Sequence, residues 1–127
     1  MTTTPLTTDS PLALPTVIAS HIATANAHDL DGLIATFASD AFVNDAHREF
    51  SGIEAIRRWA AKEMIGDRVT IEPTEIREHY GDTIVTARYD GDYDKTGLPD
   101  DLQLTNYFTV RDGLIVSLIV IRNTPGY

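Results

Sequence analysis

The chain has 127 residues, one domain's worth of polypeptide, and its 43% hydrophobic and 23% charged residues are the makeup of a globule that buries a core. Nineteen Asp and Glu against ten Lys and Arg leave a formal charge of -9, which argues against nucleic acid and anionic lipid surfaces as partners. Cysteine is absent, so a disulfide framework, a thiolate nucleophile and any Cys-ligated metal are excluded.

The start, MTTTPLTTDSP, lacks the basic patch and apolar run of a secretory signal, and no run of about 18 apolar residues occurs, so a cytoplasmic protein without membrane contact is expected. Residues 1–11 are expected to be frayed and residues 12–127 to form one domain. Leu14, Ile18, His21, Ile22 and Ala25 recur at helical spacing and predict an amphipathic helix entered through Ser10-Pro11 or Pro15. Leu30, Leu33, Ile34 and Phe37 predict a second, shorter helix, with Asp29 or Asp31 complementing its N-terminal dipole. Ala41 to Asp45 reads as a short strand. Ser51-Gly52-Ile53-Glu54 has capping-box spacing, and Ile53, Ile56, Ala60 and Met64 then predict a third helix ending near Gly66.

From Arg68 the apolar period falls from about 3.6 to 2, with turn signals at Gly81-Asp82, Gly97-Leu98-Pro99 and Asp112-Gly113, so four hairpin-connected strands are expected. In the second of them Val85, Ala87, Tyr89, Gly91 and Tyr93 share one face. Leu114 to Ile121 is apolar on both faces; helices cover one, and a second copy of the chain covers the outward set Ile115, Ser117, Ile119 and Ile121, so a homodimer through the C-terminal strands is expected.

Several residues carry chemistry. Asp45 alternates onto the same face as Val43, where lost hydration raises the pKa of a carboxylate and suits a general base; the competing reading is a strand-end Asp that accepts N–H bonds from the Ala46-His47 turn. His21 on an apolar stripe is either a core histidine or a hydrogen-bond donor into a pocket. Trp59, Tyr89, Tyr93 and Phe108 are core aromatics or the lining of a site for a flat or cyclic organic ligand. Arg122, in phase with Val116, Leu118 and Val120, pairs with Asp45, binds an anionic ligand group, or ends the strand. His47 rims the pocket or faces water, and His28 and His79 are expected in solvent. Asp90, Asp92, Asp94 and Asp101 imitate a calcium loop, but Lys95 stands where the sharp turn needs Gly, and no histidine pair has zinc spacing. No metal and no cofactor are expected.

The stretch NAHDLDGLIATFASDAFVNDAHREFSGIEAIRRW, Asn26 to Trp59, resembles the SnoaL-like polyketide cyclase and ketosteroid isomerase-like branch of the nuclear transport factor two-like superfamily. The shared features are the N-A-x-D-x-D-G-x-x-x-x-F-A-x-D-A run, a strand ending in Asp, and the G-x-x-A-I-R-x-[FW] helix. The resemblance implies a cone-shaped α+β fold, three N-terminal helices on a curved antiparallel sheet enclosing a pocket. It matches Asp45 to the catalytic base of the ketosteroid isomerases, and sets Asn106 and His21 where those enzymes keep a protonated Asp and a Tyr that donate to an oxyanion. With both donors replaced, ketosteroid isomerisation itself is not expected. What is expected is cofactor-independent acid-base chemistry of isomerase, cyclase or dehydratase type on a small hydrophobic molecule, catalysed by Asp45, His21 and Asn106 and bound by Val43, Trp59, Tyr89, Tyr93, Phe108 and Arg122. The alternative is a non-catalytic binding or assembly domain of the same fold.

Overall fold

A computed structural model describes residues 14–122; the expected frayed start and helix entry at Ser10-Pro11 lie outside them. Helix α1 (Thr16–Asn26) follows Pro15 and buries Ile18, His21, Ile22 and Ala25, the predicted stripe. Its end is tied to the sheet by the Asn26 side chain, which donates to the Ile71 carbonyl at 2.9 Å and accepts the Ile71 N–H at 2.7 Å. Helix α2 (Leu30–Ile34) is one short turn, capped by Asp29, whose carboxylate accepts the Gly32 N–H at 3.0 Å. Phe37, expected on α2, instead opens strand β1 (Phe37–Asp45).

Sequence periodicity missed strand β2 (Arg48–Ser51), which pairs antiparallel with β1. The two-residue turn between them, Ala46-His47, has φ of 56° and 68°, a left-handed pair that matches the twist of a hairpin but normally selects Asn or Gly. The Asn44 side chain stabilises it by accepting the His47 N–H at 3.1 Å. The capping box does not form. Ser51 belongs to β2, and Gly52, at φ 87°, precedes helix α3 (Ile53–Trp59) while its N–H reaches the Ala41 carbonyl at 2.8 Å. Helix α3 runs on as a wider π-helical turn, Ala60–Ile65, which ends at Gly66 as expected.

Strands β3 (Thr70–His79), β4 (Asp82–Asp90), β5 (Gln103–Arg111) and β6 (Leu114–Arg122) form the predicted antiparallel meander. The six strands lie in the order β2-β1-β6-β5-β4-β3, with β1 parallel to β6 and the other pairs antiparallel. Helix α1 packs on β3 and β6, and α3 on β1 and β2, so the core lies between the helices and one sheet face. This is an α+β architecture of three helices on a curved sheet.

Two expectations on the strands are corrected. β4 ends at Asp90, so Tyr93 arrives from the 91–102 connection instead of the strand. In β6 a bulge at Val116 shifts the pairing from Thr109↔Ser117 to Val110↔Ile115. The extra residue reverses the alternation, so Ile115 is fully buried in the core while Ser117, Ile119 and Ile121 keep their outward phase. Among the described residues, no helix is long and apolar enough to cross a membrane.

Candidate active site

A cavity of about 240 Å³ opens between the helices and the sheet. Strand register explains which side chains meet there. Asp45 pairs with Val120, Val120 with Asn106, and Asn106 with Val85, so one row crosses β1, β6, β5 and β4 with all its side chains on the same face. Asp45 and Asn106 stand two strands apart in that row, about 10 Å at ordinary strand spacing. His21 reaches the cavity from α1, Trp59 from α3, and Glu63 and Met64 from the π-helical turn. Tyr89, Tyr93, Leu98, Leu102 and Leu104 complete much of the wall.

The Asp45 carboxylate accepts two side-chain hydrogen bonds. The indole N–H of Trp59 donates to its Oδ2 at 3.0 Å, and Arg48 Nη2 donates to the same oxygen at 3.1 Å. Both donors converge on Oδ2, which leaves Oδ1 as the oxygen turned to other work. Arg48 also grips Glu63 with a two-pronged contact, Nη1 to Oε2 at 2.8 Å and Nη2 to Oε1 at 2.7 Å. Burial pushes the Asp45 carboxyl above the usual carboxylate range. Trp59 and Arg48 pull it down, the Glu63 charge adds to the rise, and desolvation prevails.

The other end of the cavity contains no carboxylate partner for its polar groups. Tyr89 donates its phenol proton to Asn106 Oδ1 at 2.9 Å, and Asn106 Nδ2 donates to the Val85 carbonyl at 3.3 Å. Because a carbonyl can only accept, the Val85 contact fixes the orientation of the amide. Burial raises the Tyr89 pKa well beyond its ordinary value, so its proton stays in place. His21, 2% exposed, lies between the rings of Phe37 and Phe108, with centroids at 5.4 and 5.3 Å and near-perpendicular planes, and its Nδ1 is 3.3 Å from Thr36 Oγ1. Burial lowers its pKa to about 4, so the ring is neutral at neutral pH.

Of the residues singled out in the sequence, Asp45, His21, Asn106, Trp59, Tyr89 and Tyr93 line this cavity. Val43 and Phe108 are buried in the hydrophobic core beside it. Arg122 sits one register row further out, paired with Leu104, and is not among the lining residues. His28, expected in solvent, is partly buried, whereas His47 and His79 are exposed. Asp90 pairs with Lys95 and Asp101 with Arg88, and among the described residues no group of three His, Asp or Glu side chains is arranged to hold a metal. Sequence reasoning missed Arg48, Glu63 and Asp67. Recognising Ala46-His47 as a two-residue hairpin turn would have set Arg48 opposite Asp45, and the four-residue step from Trp59 to Glu63 was a usable sign for the second.

The model of the SnoaL-like domain matches residues 18–118. The chain belongs to the SnoaL-like family. A solved structure from Sinorhizobium meliloti, assigned to the polyketide cyclases, is 31% identical, with 85% of this chain and 95% of that one covered and a TM-score of 0.73. A protein of ketosteroid isomerase-like fold from Catenulispora acidiphila, solved with trimethylamine, is 19% identical with 86% of each chain covered and a TM-score of 0.72. TerC, co-crystallised with polyporic acid, is 17% identical over 84% of this chain and 88% of its own, at a TM-score of 0.69. At their identities the last two show a shared fold. Among the curated proteins, none matches.

Proposed function

We propose that this SnoaL-like protein is a cofactor-independent acid-base enzyme acting on a small, hydrophobic, cyclic or carbonyl-bearing molecule held in the cavity. The observation that carries the reading is Asp45: a partly desolvated carboxylate lining an aromatic-walled cavity, with Trp59 and Arg48 both donating to one oxygen and neither to the other. Asp45 Oδ1 takes a proton from carbon next to the ligand's carbonyl, the C–H electron pair moves toward that carbonyl oxygen, and the proton returns from Asp45 to another atom of the same molecule. Asn106, whose Nδ2 carries a second hydrogen beyond its bond to Val85, binds the ligand at the opposite end of the cavity from Asp45. Isomerisation, aldol-type cyclisation and dehydration share this first step. Two proteins of this fold were solved with small molecules, trimethylamine and polyporic acid, which supports ligand binding as its use.

The test is hydrogen-deuterium exchange on a panel of cyclic ketones in deuterated water. Exchange that depends on Asp45 supports the enzyme; ligand affinity without exchange replaces it with a binding domain.

The same chain acts as a homodimer. Phe42, Tyr107, Ile119 and Ile121 lie on the sheet face opposite the helices, and Ile119, 38% exposed, is paired with Tyr107 on one side and Asn44 on the other. A symmetric partner covers this face. Wild type should sediment at about twice the 14.0 kDa chain mass and Ile119→Lys as a monomer; a monomeric wild type at high micromolar concentration contradicts it.

A further inference from the structure

Counting protons at the inner end of the cavity leads to the chemistry of the ligand. The Thr36 hydroxyl donates its single hydrogen to the Leu33 carbonyl at 2.6 Å. Its oxygen can therefore only accept from His21, and the imidazole hydrogen must be on Nδ1, 3.3 Å away. A neutral imidazole carries one N–H, so Nε2 is a lone-pair acceptor. Phe37 and Phe108, edge-on at 5.4 and 5.3 Å, hold the ring and oppose a flip that would exchange the two sides. The expectation from the sequence was a His21 N–H pointed at an oxyanion, and this proton count reverses its polarity.

Asn106 has the opposite polarity. Its carbonyl oxygen is occupied by the Tyr89 hydroxyl and its orientation is fixed by Val85, so what it has left to offer is an N–H. His21, Tyr89 and Asn106 all line the main cavity and also meet around a narrower recess bounded by Phe108. An acceptor and a donor thus share the end of the cavity away from the Asp45 carboxylate.

We infer that this inner end recognises a hydroxyl group on the ligand ring, such as a phenol or an enol, with the hydroxyl hydrogen donated to His21 Nε2 and the oxygen accepting from Asn106 Nδ2. A molecule with a bare carbonyl at that position puts two lone pairs against each other and leaves a buried acceptor unsatisfied, which disfavours it. His21 is on this view a specificity-determining residue and Thr36 the group that sets its tautomer. The inference rests on the cavity being the ligand site, as proposed above, and adds the class of ligand.

The experiment pairs 2-naphthol with its methyl ether, probes of nearly equal shape that differ in the hydroxyl hydrogen. Wild type should prefer the naphthol by about tenfold, the worth of one buried hydrogen bond. The preference should vanish in His21→Leu, return in part in His21→Gln, which restores an acceptor, and persist in Asp45→Asn. Long-range proton-nitrogen NMR of the wild-type protein, which needs no variant, should show Nδ1 protonated and Nε2 imine-like, with the Nε2 signal moving when 2-naphthol is added. A wild-type protein carrying its imidazole hydrogen on Nε2, or equal affinity for both probes, overturns the inference and leaves the cavity reading standing. A preference abolished by Asp45→Asn and untouched by His21→Leu overturns it as well. Failure of both probes to bind overturns this inference together with the cavity reading beneath it.

Discussion

The two ends of the cavity solve the same problem differently. At the Asp45 end, four hydrogen bonds, three from Arg48 and one from Trp59, reach the Asp45 and Glu63 carboxylates, and the arrangement stays close to water, with the Arg48 side chain half exposed. At the His21 end, Thr36, His21, Tyr89 and Asn106 are neutral, and their hydrogen bonds run to backbone carbonyl, hydroxyl and amide oxygens. Charge is affordable only where solvent and a counter-ion share its hydration; deep burial selects neutral groups with fixed donor and acceptor directions. On the proposed function, one end changes protonation state, and the other holds its protons and reads a ligand's polarity.

Asp45→Asn breaks the reactive end outright. Turnover on a verified substrate should fall by about 10²–10⁴-fold with ligand affinity retained. The same substitution should stabilise the fold at neutral pH: a carboxyl whose folded pKa is raised contributes stability below its unfolded pKa and loses it as pH rises through the folded one, so its removal relieves a cost that exists only when it is ionised. Chemical denaturation at pH 7 and near pH 4 should show the gain at the first and not the second.

The His21 end should fail in acid. Its pKa is lowered to about 4 by burial, so the stability it contributes is present above the unfolded histidine value of about 6.5 and is lost as pH falls toward the folded value. A loss of a few kcal/mol between those limits is expected for a group buried this deeply. His21→Leu should flatten that part of the stability profile, and an unchanged slope would contradict the neutral, buried imidazole.

How much of this contrast was legible in the sequence depends on whether alternation survives undisturbed. Asp45 ends the regular stretch 42–45 that follows an irregularity in β1, Asn106 and Tyr89 sit where β5 and β4 alternate regularly, and His21 sits on a regular helical stripe; all four reach the cavity as their spacing implies. Where the backbone adds or widens a step, the pattern misleads. The Val116 bulge turns Ile115 inward, the π-helical turn brings Glu63 and Met64 together on the cavity side, and the early end of β4 puts Tyr93 on a connection. The Ala46-His47 turn hid Arg48 because its left-handed residues carry neither Gly nor Asn. The polarity of His21 depends on a Thr36 oxygen, fifteen residues away in the chain, that can only accept because its own hydrogen goes to Leu33, which no local pattern reveals.

Smaller changes refine the comparison. Trp59→Phe keeps the ring and deletes one donor to Oδ2, so Asp45 should titrate higher still and the acid limb of a pH-rate profile should move upward, with about 1–2 kcal/mol of stability lost. Arg48→Met should shift the profile the same way, but with a stability change of about 1 kcal/mol or less, since the pair it breaks is half in water. A downward shift in either variant would mean that these donors do not hold the ionised form.

The most direct test of the account is the titration of Asp45 itself, followed through its carboxyl carbon by NMR in the ligand-free protein and assigned by its disappearance in Asp45→Asn. The midpoint is expected above the ordinary aspartate value of about 3.9, moved toward the range where a base both takes up and returns a proton. A midpoint at or below that value would show that Trp59 and Arg48 outweigh desolvation, and would make Asp45 a structural anchor of the β1–β2 hairpin instead of a base.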